Sequence, residues 1–158
     1  MGLIHLRPVT DNDVKALIQL FHDTVHSINI KDYSELQTDA WAPPVEEISE
    51  SAWKDSFKGR HAIIAECNGI IAGFADAAPD GYLDRFYVHK DYQRKGVGSV
   101  LYEDMETFLK KSGAGTVVTH ASITALPFFL SKGFHVEKEQ EVERKGVILK
   151  NFVLSKKI

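Results

Sequence analysis

The stretch Phe86-Tyr87-Val88-His89-Lys90-Asp91-Tyr92-Gln93-Arg94-Lys95-Gly96-Val97-Gly98-Ser99 joins an apolar strand to a helix through a charged loop with two glycines. Amides at a helix start have no acceptor inside the helix and sit at the positive end of its dipole, so this segment can hold an anion, phosphate above all. Gly96 and Gly98 permit the sharp turn and a close approach of backbone to ligand. The spacing rules out two other phosphate loops. A P-loop needs G-x-x-x-x-G-K-[ST], and a dinucleotide fingerprint needs a third glycine where this chain has Leu101.

The elements around that loop must position it. Ile4, Leu6 and Pro8 alternate with His5 and Arg7 as in a strand, and Thr10 with Asp13 makes an N-cap signal for a helix carrying Val14, Leu17, Ile18 and Phe21. Ser34 with Gln37 opens a shorter helix toward Trp41, and a third short helix runs through Ala52, Trp53 and Phe57. From His61 to His89 the composition turns β-rich: two runs meet at Asn68-Gly69, a hairpin signal, and Pro79-Asp80-Gly81 leads into a third. Val100, Leu101, Met105, Phe108 and Leu109 predict a helix over 98–109 with one buried stripe, and the β-branched run 116–120 predicts a strand. An apolar helix over 125–131 is ended by Lys132-Gly133, and strands over 134–143 and 147–154 turn at Lys145-Gly146. The order β-α-α-(α)-β-β-β-α-β-α-β-β means an α/β fold in which helices cover a mixed, predominantly antiparallel sheet.

Size and charge narrow the function classes. At 158 residues, 44% of them hydrophobic, the chain has apolar content for one core and too little length for two, so a single domain spanning 1–158 is expected. Lys and Arg number 19 against 22 Asp and Glu, a net charge of −3, so no global positive field draws the protein to nucleic acid or an acidic membrane. No apolar stretch reaches the roughly 18 residues needed to span a bilayer, and the polar residues 1–7 do not read as a signal peptide; a cytoplasmic protein is expected. The single cysteine, Cys67, follows the apolar run from Ala62 and reads as a packed core thiol. No metal is expected. Edge strands near the C-terminus could pair between subunits, which leaves monomer and homodimer both open.

Gln93-x-x-Gly96-x-Gly98 resembles the Q/R-x-x-G-x-G/A pyrophosphate loop of the GNAT superfamily of N-acetyltransferases. Ala125-x-x-Phe128-Phe129-Leu130-Ser131-Lys132-Gly133-Phe134 resembles the superfamily's A-x-x-F-Y-x-K-x-G-F segment, in the same order along the chain. The likeness extends over nearly the whole chain and is greatest to the YafP-type branch. It implies acetyl-CoA as cofactor: residues 93–99 (Gln93, Arg94, Lys95, Gly96, Val97, Gly98, Ser99) would bind pyrophosphate, with Lys132 also serving the phosphates. Phe86, Tyr87 and Val88 of the fourth strand would lie along the pantetheine arm, with Tyr87 and Val88 offering backbone groups. Ser122, Ala125, Phe128 and Phe129 would flank the same arm.

The resemblance also implies direct attack of an amine, of a small molecule or a peptide, on the thioester. Positioning can supply roughly 7 to 11 kcal/mol of such a barrier, more than the 10²- to 10⁴-fold a general base typically gives. Asp84 is the first candidate base, with an ion pair to Arg85 or Lys90 as the other reading. A regular pleat would place Tyr82, Asp84, Phe86 and Val88 on one face and Leu83, Arg85 and Tyr87 on the other. Phe129 stands where the superfamily often has a tyrosine that protonates the thiolate, and it has no proton to give; His120, Ser122 or water could substitute. His26, Tyr33 and Trp41 are acceptor-side candidates, or helix-packing residues. A non-catalytic acyl-CoA-binding or regulatory module is the alternative to an enzyme.

Overall fold

The computed structural model describes residues 2–158. Strand β1 (Ile4–Pro8) is followed by a 3-10 turn at Asp11–Asp13 and helix α1 (Val14–Ser27). The start is held by a reciprocal cap: the Thr10 amide and hydroxyl both donate to the Asp13 carboxylate, at 2.8 and 2.9 Å. Arg7 grips the same carboxylate at 2.8 and 2.9 Å and also bonds Glu66, tying the turn to the neighbouring strand. Helix α2 (Glu35–Trp41) opens on the expected Ser34–Gln37 box, and α3 (Glu50–Phe57) on Ser49, whose Oγ accepts the Ala52 amide at 3.1 Å.

The remaining elements are β2 (His61–Cys67), β3 (Ile70–Ala77), β4 (Tyr82–Val88), α4 (Val97–Lys111), β5 (Thr116–Ser122), α5 (Leu126–Ser131), β6 (His135–Arg144) and β7 (Val147–Lys157). The sheet runs β1-β2-β3-β4-β5-β7-β6, antiparallel between every pair of neighbours except β4 and β5, which are parallel. The last strand extends past Leu154 to Lys157 because β5 supplies partners, Val117 opposite Lys156 and Thr116 opposite Lys157.

Each face of the sheet carries a core. Leu101, Met105 and Leu109 of α4 pack with Leu83, Val117, Phe129 and Leu154 on one side. Leu17, Leu20, Phe21 and Val25 of α1 pack on Ile64 and Phe74 on the other. Cys67 is buried in the first core, as a structural thiol would be.

The pleat of β4 is not regular, which overturns the expected division of its side chains. Pairing moves from Ala75 opposite Phe86 to Ala77 opposite Leu83, so Asp84 and Arg85 together oppose the single residue Asp76. This is a β-bulge, and it shifts the alternation by one. Leu83, fully buried, joins Phe86 and Val88 on the α4 side. Arg85 turns to α3, its guanidinium 4.8 Å from the Trp53 ring centre and 4.1 Å from that of Phe57.

Candidate active site

β4 and β5 are paired only at Tyr82–Val118 and Leu83–Thr119. Beyond Leu83 the strands part, and a cleft of about 630 Å³ opens between residues 84–88 of one and 120–122 of the other. From one face of the sheet it is lined by Gln93, Arg94, Gly96, Gly98 and Ser99 and by Thr124, Ala125, Phe128 and Phe129. From the other come Thr24, Ile28, Asn29, Lys31, Asp32 and Trp41. A parted sheet thus connects an anion-binding side to a side walled by the early helices.

The loop after β4 is shaped for an anion. Gln93 Nε2 donates to the Val88 carbonyl at 2.7 Å, folding the loop back onto the strand. Arg94 (φ 58°) and Gly96 (φ 85°) adopt the left-handed region, and Gly96 is the N-cap of α4. No side chain caps this helix, and its first bond runs from the Val100 amide to the Gly96 carbonyl at 3.1 Å. The amides of Val97, Gly98 and Ser99 precede that bond and have no acceptor within the helix. Lys132 Nζ donates to Ser99 Oγ at 2.8 Å, placing an ammonium at the same helix start. A side chain at Gly98 would stand 3.1 Å from the Phe128 ring, so glycine permits the contact between α4 and α5.

Among the expected cofactor residues, the side chains of Val97, Lys95 and Lys132 do not line the cleft, Lys132 reaching it only through Ser99. Val97 is buried beneath the loop, which leaves only its amide for a ligand. Lys95 lies over the Tyr92 ring at 5.8 Å, outside the cleft lining. Along β4, the His89 amide bonds the Ala72 carbonyl at 2.7 Å, and bonded pairs alternate in an antiparallel ladder, so Tyr87 exchanges its bonds with Phe74. The backbone groups that face the cleft therefore belong to Phe86 and Val88, not to Tyr87. The Val88 carbonyl is already occupied by Gln93 and by Thr24 Oγ1, at 3.2 Å, leaving its amide.

The catalytic candidates lie around the cleft in different states. Asp84 Oδ2 is 2.5 Å from Arg60 Nη1, so its ion-pair partner is neither Arg85 nor Lys90. Hydrogen bonds to Asp84 and Asp76 in turn push the Arg60 guanidinium further up from its ordinary value. His120 lines the cleft, exposed, with its ring edge-on to Tyr82 at 5.6 Å. Ser122 Oγ accepts from the Ala125 amide at 3.0 Å and from Asn29 Nδ2 at 3.3 Å, and keeps its own proton to donate. Phe129 is boxed by the rings of Phe86, Phe128 and Phe134 at 5.2 to 5.4 Å. Tyr102, next to it, does not replace the missing phenol: burial pushes its hydroxyl up, and the proton is given to Glu106 at 3.2 Å.

Of the three expected acceptor-side residues, Trp41 alone lines the cleft. His26 Nε2 donates to the Ala42 carbonyl at 2.7 Å and serves helix packing. Tyr33, buried, donates to the Lys150 carbonyl at 2.6 Å and accepts the Ile123 amide at 2.9 Å, clamping β7 to the end of β5. Sequence reasoning missed Thr24, Asn29, Lys31 and Asp32. Thr24 had a signal, being a polar residue three after Phe21 on the buried stripe of α1. Asn29 had none, because its partner Ser122 is 93 residues away.

The parted strands over an uncapped helix start form a cleft open to a phosphate-bearing ligand, and comparison with known proteins gives its class as an acetyltransferase. A model of the acetyltransferase (GNAT) domain matches residues 29–156, and the chain belongs to that family. It is 33% identical to YafP of Escherichia coli strain K12, an uncharacterized N-acetyltransferase, over 154 residues that make up 98% of this chain and 96% of that one. The crystal structure of a GCN5-related N-acetyltransferase from Rhodopseudomonas palustris superposes with a TM-score of 0.93 at 28% identity, covering 100% of this chain and 98% of that one. The PaiA N-acetyltransferase of Thermoplasma acidophilum, solved with coenzyme A, shares the fold with a TM-score of 0.79 at 21% identity and 99% coverage of both chains. Among the described residues no helix is long and apolar enough to cross a membrane, and no group of three or more His, Cys, Asp or Glu could hold a metal ion.

Proposed function

We propose that the protein transfers the acetyl group of acetyl-CoA directly to a primary amine of a small molecule or peptide, both substrates being held at once. The observation that carries this reading is the opening of the β4–β5 cleft onto the uncapped start of α4. The residues present suit the cofactor. The amides of Val97, Gly98 and Ser99, with Arg94 in the lining and the Lys132 ammonium on Ser99, form a cationic cradle for pyrophosphate. The free amides of Phe86 and Val88 are donors along the strand edge, and Phe86, Phe128 and Phe129 form an apolar wall beside them. When bound, acetyl-CoA supplies an activated thioester carbonyl and a thiol leaving group.

The chain's own contribution is orientation first. β4 and β5 hold the two substrate sides in line, and Trp41, Asn29 and Thr24 form the wall against which an acceptor would rest. His120 is the group in the cleft suited to take the amine's proton, because its imidazole lines the cleft and no hydrogen bond among the described residues occupies it. Asp84, paired with Arg60, attracts the incoming ammonium rather than removing its proton. The Ser122 hydroxyl, with its proton free, can donate to the leaving sulfur in place of the phenol that Phe129 lacks.

Thermal unfolding with acetyl-CoA, free CoA and NAD tests the cofactor. Ligand at about a hundred times its dissociation constant adds roughly 2.7 kcal/mol, which raises the midpoint by about 5 to 10 °C. No rise with acetyl-CoA overturns the reading. Phe129 favours a second reading, a binding module without catalysis. A screen of amines that releases no thiol despite tight acetyl-CoA binding would select it.

A further inference from the structure

Asp76 is fully buried in β3 and is the one residue opposing both members of the β4 bulge. Its carboxylate binds Arg85 directly and reaches Asp84 through Arg60. Oδ1 accepts the backbone amide of Arg85 at 3.2 Å and Arg85 Nε at 2.8 Å; Oδ2 accepts Arg85 Nη2 at 3.1 Å and Arg60 Nη1 at 2.8 Å. The same Arg60 Nη1 carries Asp84 at 2.5 Å, and Arg85 Nη2 also donates to Ser56 Oγ at 2.8 Å. Two guanidinium groups and two carboxylates make a neutral cluster. A buried charge is tolerated only with such compensation, so removing one member leaves an odd charge behind.

The bulge follows directly on Leu83, the last β4 residue paired to β5. A bulge bends its strand and increases the local twist. Without the bend, β4 would run on beside β5 and bury the edge that the cleft exposes.

We propose that Asp76 is a positioning residue for the reaction: it holds the β4 bulge, and the bulge holds the cofactor cleft open. The inference rests on the reading of this cleft as the acetyl-CoA site. Asp76 itself touches neither substrate, and it does not line the cleft. Its influence passes through the backbone of residues 84 and 85 to the free amides of Phe86 and Val88.

The test uses the full chain and two variants, Asp76→Ala and Asp76→Asn, with two readouts taken well below the melting temperature. The first is amide hydrogen exchange at Arg85 followed by NMR. The wild type should protect this amide, Asp76→Ala should speed its exchange at least tenfold relative to the β2–β3 amides, and Asp76→Asn, which keeps an acceptor oxygen, should fall between. The second is calorimetric titration with acetyl-CoA, where Asp76→Ala should weaken binding about tenfold or more and Asp76→Asn less. A wild-type Arg85 amide that exchanges freely overturns the proposal even if no variant folds. A lower melting temperature with unchanged acetyl-CoA affinity also overturns it, since Asp76 would then be a stability residue only. Failure of the wild type to bind acetyl-CoA would instead sink the reading of the cleft, while the exchange data still report whether Asp76 holds the bulge.

Discussion

The Thr119 hydroxyl donates to the Leu83 carbonyl at 2.8 Å, and these two residues are the last pair that joins β4 to β5. The bond stands at the apex of the cleft. Thr119→Val keeps the shape and removes the donor, leaving a buried carbonyl without that partner. It should cost about 1 to 3 kcal/mol in denaturant unfolding and weaken acetyl-CoA binding severalfold, with Thr119→Ser restoring most of both. Unchanged affinity in the valine variant would mean that the apex tolerates loosening.

Gly96 adopts φ 85°, and a side chain there would meet no atom within 4 Å. The cost of substitution is therefore one of backbone conformation. Gly96→Pro, locked near φ −65°, should abolish acetyl-CoA binding in calorimetry while the domain stays folded by circular dichroism. Unchanged affinity would overturn the assignment of the loop.

His120 and Asp84 separate by their partners. His120→Ala should lower kcat by about 10² or more with acetyl-CoA affinity unaltered. Asp84→Asn, which leaves Arg60 less well paired, should raise the acceptor KM more than it lowers kcat. Full activity in His120→Ala would remove the histidine from the mechanism.

Tyr33 bridges Lys150 and Ile123 through one hydroxyl. Tyr33→Phe leaves a carbonyl and an amide unpaired and should lower stability by about 1 to 3 kcal/mol in chemical unfolding. The acceptor KM should change little. A changed KM at constant stability would return Tyr33 to the acceptor wall.

Arg7, through its hydrogen bonds, holds the Asp13 carboxyl down to about 2. A depressed carboxyl pKa contributes stability that is present above the unfolded value of about 4 and lost as pH falls toward 2. Discounted for solvent screening, the contribution is about 1 to 2 kcal/mol. Arg7→Gln should remove it at pH 7, and the stability difference between variant and wild type should shrink as pH drops from 4 to 2.

The sequence by itself determined the features whose hydrogen bonds close within a few residues. Thr10 with Asp13, Ser34 with Gln37, the Asn68-Gly69 and Lys145-Gly146 turns and the glycine loop before α4 all read correctly, because side-chain type and backbone preference decide each of them locally. The order of elements followed from that local information, while the family followed from the resemblance carried by the Gln93–Gly98 and Ala125–Phe134 segments. Only the tertiary structure decided the bulge at Asp84 and Arg85, the parting of β4 from β5, the pairing of Asp84 with Arg60, and the removal of His26 and Tyr33 from the cleft. Each depends on a partner from another element, 16 residues away for His26, 24 for Asp84 and 117 for Tyr33. A pattern of period two cannot signal its own interruption when the cause, the carboxylate of Asp76, lies on a neighbouring strand.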